Sequence, residues 1–151
     1  MKKIYIDMCC WNRPFDDQTQ TRIHLEAEAV LAIVMEIERR RWTLVSSEVV
    51  DAEIDIIRSA NRRERVRNFV PHRLEQIKID GQIVSRAVVL ESLGFSGADA
   101  LHLAAAESAR ADVLLTTDDR LFRLAKRHDR RLHIRVDNPL TWLQTVVQEE
   151  P

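Results

Sequence analysis

Two periodicities alternate along the chain. Short apolar runs of β character, Lys3–Asp7, Trp42–Val45, Val113–Thr116 and His133–Val136, are separated by longer stretches whose apolar residues recur every three or four positions. The clearest, Thr21–Arg40, sets Ile23, Ala27, Val30, Leu31, Val34 and Ile37 on one stripe with acids opposite, which predicts a long amphipathic helix. Ser47 is a candidate N-cap for a second helix reaching about Arg58, Asn61–Phe69 reads as a basic third, and Asp80–Leu93 as a fourth that stops at Gly94. Ser96 or Gly97 opens a fifth over Asp99–Ala109, and Asp119–His128 forms a sixth. Asn138-Pro139 offers an N-cap followed by proline at the first helical position, so Leu140–Val147 is a short final helix. Strands alternating with helices predict an α/β fold on a parallel sheet. With no repeat and no Gly-, Pro- or Ser-rich linker, residues 1–151 are expected to form a single domain.

Composition narrows the setting. No apolar run approaches the ~18–20 residues of a membrane span, and the start reaches Asp7 before a signal-peptide core forms, so a cytoplasmic protein without a membrane partner is expected. Cys9 and Cys10 are adjacent, which provides neither a disulfide framework nor zinc-ligand spacing; small buried hydrophobes after the first strand are expected. The net charge of −1 argues at first against a polyanionic partner. Its distribution reverses that argument, because residues 58–73 and 120–135 together hold 13 of the 23 basic residues and only 2 of the 24 acids. Arg62 and Arg63 in the first stretch, and Arg120, Arg123 and Lys126 in the second, are candidate RNA-phosphate contacts, with solvation or ion pairing as the plain structural alternative.

The acids are placed where a parallel sheet puts its ligands, beyond the carboxyl ends of the strands. Asp7 ends the first strand and Asp118, with Asp119 beside it, follows Val113-Leu114-Leu115-Thr116-Thr117. Glu53 in the second helix and Asp99 at the start of the fifth come to the same edge. Each has a structural role available, as turn former, helix-dipole partner, solvated residue or N-cap. Together, with no Lys or Arg fixed beside them, they would repel one another unless a divalent cation lay between them, and hard oxygen ligands select Mg²⁺ or Mn²⁺. His102 lies one helical turn beyond Asp99, either facing this site or as an ordinary partly buried histidine.

A strand-ending Asp7, Ser47 followed six residues later by Glu53, the run Asp99-Ala-Leu-His-Leu-Ala-Ala-Ala106, and Leu114-Leu-Thr-Thr-Asp-Asp-Arg-Leu-Phe122 resemble, in this order, the PIN domain, including toxin ribonucleases of VapC type. The resemblance runs from Ile4 to about Leu140, and its last two motifs are the specific ones. It implies a three-layer, Rossmann-like α/β/α sandwich and a metal-dependent ribonuclease of single-stranded RNA, the toxin of a type II toxin–antitoxin pair. It places the catalytic acids on Asp7, Glu53, Asp99 and Asp118, and the metal ligands on Asp7, Asp99, Asp118 and Asp119, the last also the alternative fourth acid. A small antitoxin and a homodimer are implied partners, with Ala29, Ile33 and Ile37, or Val49 and Ile56, as candidate interface positions. One departure stands out: many relatives have Thr or Ser and then Asn after the first acid, where this chain has Met8-Cys9-Cys10-Trp11-Asn12. Asn12 or Thr116 is then the candidate to hydrogen-bond Asp7. A PIN-fold module that has lost catalysis and acts by RNA or protein binding is the rival reading. Phosphotransfer around Asp7 and dinucleotide binding are weaker, lacking a second Asp two residues on and a G-x-G-x-x-G, respectively.

Overall fold

The computed structural model describes residues 1–150. In chain order the elements are β1 (Lys2–Ile6), α1 (Met8–Asn12), a single 3-10 turn (Arg13–Phe15), α2 (Thr21–Glu38), β2 (Trp42–Ser47), α3 (Glu48–Asp55), α4 (Ala60–Phe69), β3 (Glu75–Ile77), α5 (Gly81–Glu91), α6 (Gly97–Ser108), β4 (Val113–Leu115), α7 (Asp119–Arg127), β5 (Arg135–Asp137) and α8 (Pro139–Glu149). Helix starts follow local capping chemistry. Ser47, Ser59, Asp80, Ser96, Asp118 and Asn138 each accept a hydrogen bond from a backbone N–H of the turn they open. Beyond the end of α5, Gly94 adopts φ +108°, a backbone region that strains residues with a Cβ.

Two elements were not expected from the pattern. β3 is three residues of Glu-Gln-Ile at the sheet edge, with no apolar alternation to mark it, and it forms because β2 offers a free edge. α1 is only five residues, shorter than the period needed to read it, and is nucleated when the Asp7 side chain accepts from Met8 N. The second predicted helix is also shorter than expected, since α3 ends at Asp55 rather than near Arg58.

The sheet is parallel throughout, in the order β3-β2-β1-β4-β5. Right-handed crossovers then put α2, packed with α8, on one face and α5 with α6 on the other, giving three layers. The chain leaves β1 towards β2 and β3, then crosses back to β4, so the strand order reverses between β1 and β4. Crevices of this kind open beyond the carboxyl ends of the two strands. Asp7 N donates to Leu115 O at 3.0 Å, extending β1–β4 pairing up to the rim of the crevice.

The core corrects two helical expectations. Leu31, expected on the buried stripe of α2, is exposed at its flank, and Ala29, Ile33 and Ile37, offered as interface positions, are core residues under the sheet. The exposed apolar residues of α2 are Leu25, Leu31 and Met35 instead. Val49 is half-buried and Ile56 is exposed. On α6, Ala100 and Leu103 to Ala106 are all buried, so the alanine run brings that helix close to the sheet. Among the described residues, no helix is long and apolar enough to cross a membrane.

Candidate metal centre at the sheet edge

Asp7 is buried and its carboxylate accepts three hydrogen bonds, leaving acceptor capacity on Oδ1. Oδ1 accepts from Met8 N at 2.7 Å, and Oδ2 accepts from Thr116 Oγ1 at 2.9 Å and from Cys9 Sγ at 3.3 Å. The hydroxyl that the Met8-Cys9 sequence does not provide therefore comes from β4's end. The same Thr116 Oγ1 accepts from Asp118 N at 3.1 Å, tying the first acid to the backbone of the fourth. Asn12 has a different engagement, its Oδ1 lying 3.5 Å from an Arg62 nitrogen.

His102 projects from α6 into the base of the crevice and is 1% exposed. Its Nε2 hydrogen-bonds Glu53 Oε1, which α3 brings in from the other side, and lies 3.7 Å from Asp7 Oδ1. Its Nδ1 is 2.6 Å from the Tyr5 hydroxyl, which is 2.7 Å from Ser47 Oγ. Burial pushes the imidazole pKa down, but the Glu53 hydrogen bond and the charges of Asp7 and Glu53 outweigh it and the value is raised. Burial holds the Tyr5 hydroxyl protonated, well above its ordinary value. One ligand atom each from Asp7, Glu53 and His102 falls within 4.8 Å of the others, the spacing of a metal-ligand set.

Asp99 opens α6, where its backbone N–H donates to Ser96 Oγ at 3.2 Å. It is half-buried, and burial together with the charges of Asp7 and Asp118 raises its pKa. Asp118 is exposed at the start of α7, where its Oδ1 accepts from Arg120 N at 2.9 Å and Leu121 N at 3.3 Å. The structure thus gathers Asp7 and Glu53 around His102, while Asp99 and Asp118 lie outside that 4.8 Å group and reach it through the charges that Asp7 and Asp118 exert on Asp99. Among the described residues, none of the four forms an ion pair with Lys or Arg; their only cationic neighbour is His102. Uncompensated carboxylates around a crevice are the donor set of a hard divalent cation, so the residues present fit such an ion.

Asp119 belongs to another system. It forms a two-pronged ion pair with Arg22 at 2.6 and 2.7 Å, which holds its pKa below the usual carboxylate range. Arg22 also contacts buried Glu26, Glu26 pairs with Arg13 at 2.9 Å, Arg13 with Asp16 at 3.1 Å, and Asp16 with Arg62 at 2.9 Å. This chain of alternating charges runs from α7 across α2 and the 3-10 turn to α4. Arg62 is further tied to Phe15 O at 2.6 Å, and Arg63 donates to Ile57 O at 2.7 Å. Arg120, Arg123 and Lys126 are exposed on α7, with Lys126 over the Phe122 ring.

No protein-family model matches the sequence, and no curated protein matches it. Solved structures do match the fold. A chain of VapBC2 from Rickettsia felis, a complex crystallised with a DNA fragment from its promoter, aligns with a TM-score of 0.60 over 90% of this chain and 98% of its own, at 14% identity. A chain of VapBC-1 from nontypeable Haemophilus influenzae aligns with a TM-score of 0.53 over 91% and 98%, at 16% identity. The fold these chains share with it is a PIN-like, three-layer α/β/α sandwich on a parallel sheet.

Proposed function

We propose that this chain is a divalent-metal-dependent ribonuclease acting on single-stranded RNA, and that it is the toxin of a type II toxin–antitoxin pair. The observation that carries the reading is the gathering of Asp7 and Glu53 around His102 at the sheet's carboxyl edge, with Asp99 under the charges of Asp7 and Asp118 and no Lys or Arg paired to any of the four, in a fold shared with chains of two VapBC complexes. Asp7, Asp99 and Asp118 would hold Mg²⁺ or Mn²⁺, with Glu53 beside them. Such an ion, when bound, supplies a water of lowered pKa and screens charge on the phosphodiester. Thr116 fixes Asp7 and keeps one of its lone pairs occupied, so the carboxylate cannot rotate freely. A carboxylate of the group, Asp99 or Asp118, would take the proton from an attacking water. Asp118 is the fourth acid in this reading, because Arg22 already engages Asp119.

Exposed Arg120, Arg123 and Lys126 follow that acid on α7 and would hold phosphates of the strand without reading its bases. Arg62 and Arg63 are assigned to the scaffold instead, since their donors meet Asp16, Phe15 O and Ile57 O. Both structures named above are VapBC complexes, which, with the resemblance to VapC-type toxins, supports a small antitoxin as the partner of this chain.

The test is cleavage of end-labelled single-stranded RNA by purified protein with Mg²⁺ or Mn²⁺. Activity is expected to vanish with EDTA and to fall at least a hundredfold in Asp7→Asn and Asp99→Asn. Cleavage that survives EDTA, or both substitutions together, would sink the metal-nuclease reading. Growth arrest on expression, relieved by a neighbouring small gene, tests the toxin assignment separately.

A further inference from the structure

We infer that the metal centre of this chain is a mixed oxygen-and-nitrogen site, in which His102 is a ligand held in place by Tyr5 and Ser47, and which takes Mn²⁺ ahead of Mg²⁺. The inference rests on the metal reading above and adds to it a residue and a cation preference.

His102 Nε2 lies between two carboxylate oxygens, Glu53 Oε1 and Asp7 Oδ1, the latter 3.7 Å away, and ligand atoms of all three residues lie within 4.8 Å of one another. The Nε2 proton donated to Glu53 meets the demand for positive charge here, and a divalent cation would take that proton's place with three donors already gathered. The ring cannot turn away, because it is 1% exposed and its far nitrogen is 2.6 Å from the Tyr5 hydroxyl. For Nε2 to offer its lone pair, Nδ1 must carry the proton. The support chain accommodates that tautomer: Nδ1–H donates to Tyr5 O, and the Tyr5 hydroxyl donates to Ser47 Oγ at 2.7 Å, which also accepts from Val49 N at 3.2 Å. The donors of His102 Nδ1 and the Tyr5 hydroxyl each find an acceptor in this line. Orientation of a ligating imidazole through its second nitrogen is the usual way such a donor is fixed. Each member is buried, Tyr5 on the central strand β1, Ser47 at the end of β2, and His102 among the buried residues of α6. Mg²⁺ is held by oxygen and sheds its water reluctantly, whereas first-row transition cations accept imidazole nitrogen, so a nitrogen donor tips the centre towards Mn²⁺.

Electron spin-echo envelope modulation of the full chain loaded with less than one equivalent of Mn²⁺ tests this directly, alongside calorimetric titration with Mn²⁺ and with Mg²⁺. Wild type is expected to show ¹⁴N modulation that converts to the ¹⁵N pattern when the protein is made with ¹⁵N-histidine, a readout that needs no variant. His102→Gln should abolish the modulation and weaken Mn²⁺ binding at least tenfold while changing Mg²⁺ binding less. Tyr5→Phe should keep the modulation and lose about 10–100-fold in Mn²⁺ affinity. Mn²⁺ that binds without nitrogen modulation, or with modulation that ¹⁵N-histidine leaves unchanged, would overturn the inference and leave the ribonuclease proposal standing. Binding of Mg²⁺ without Mn²⁺ would likewise overturn the inference alone, and failure of both cations to bind would remove both readings.

Discussion

Asp99 concentrates the electrostatic conflict of the crevice. Burial and the charges of Asp7 and Asp118 all disfavour its ionised form, so its pKa in the folded chain lies above the unfolded value of about 3.9. For an acid raised in this way the folded state binds the extra proton, and stability falls as pH climbs from the unfolded value through the folded one. Without divalent cation, Asp99→Asn is therefore expected to be more stable than wild type above that window and equal to it well below, by urea unfolding across pH. Saturating Mn²⁺ should reverse the order, raising the midpoint of wild type more than that of the variant. A variant less stable than wild type at neutral pH without metal would show that Asp99 is held by favourable bonds rather than strained by its neighbours.

At the scale of elements, the chain of charges from Asp119 through Arg22, Glu26, Arg13 and Asp16 to Arg62 holds α7, α2, the 3-10 turn and α4 together. Its centre is Glu26, 1% exposed, which also accepts from Asn138 Nδ2 at 2.6 Å, the N-cap residue of α8. Removing Glu26 takes away its hydrogen bonds to Arg13, Arg22 and Asn138, while Arg13 keeps Asp16 and Arg22 keeps Asp119, a loss of about 1.5–3 kcal/mol. Glu26→Ala should lose roughly that much in denaturant unfolding, while Asp119→Asn, at the exposed end, should lose about 1 kcal/mol or less. Metal affinity separates the doubled acid: Asp118→Asn is expected to weaken Mn²⁺ binding about tenfold or more, and Asp119→Asn to leave it within about twofold.

For the whole molecule, near-neutrality conceals a division between the acidic crevice and the basic face of α7. If that face carries the strand, replacing Arg120, Arg123 and Lys126 by Gln should flatten the salt dependence of RNA binding by about two in log–log slope, at ~0.7 per single-strand phosphate contact. Arg62→Gln should lower the unfolding midpoint and leave the slope unchanged. Filter binding of a labelled single-stranded RNA between low and moderate salt, using an uncleaved Asp7→Asn background, measures both. Equal slopes for the α7 variant and its parent would move the strand off that helix.

The sequence by itself determined what local chemistry can encode. The helix caps at Ser47, Ser96 and Asn138, the period of α2, the strand-ending Asp7 and the order of the acid motifs are all properties of neighbouring residues, and they suffice for a parallel α/β fold with acids at one edge. It could not show which residue of a pair does which work. Asp118 and Asp119 are equivalent until Arg22 arrives from α2, and Arg62 and Arg120 look alike until Asp16 and Phe15 O absorb the first. β3 was hidden because its pairing comes from β2's free edge and not from its own three residues. His102 was legible only as a position one turn beyond Asp99. Its partners Tyr5, Ser47 and Glu53 lie 97, 55 and 49 residues away, and only packing α6 and α3 against the central strands brings an imidazole and two carboxylates within reach of a single ion.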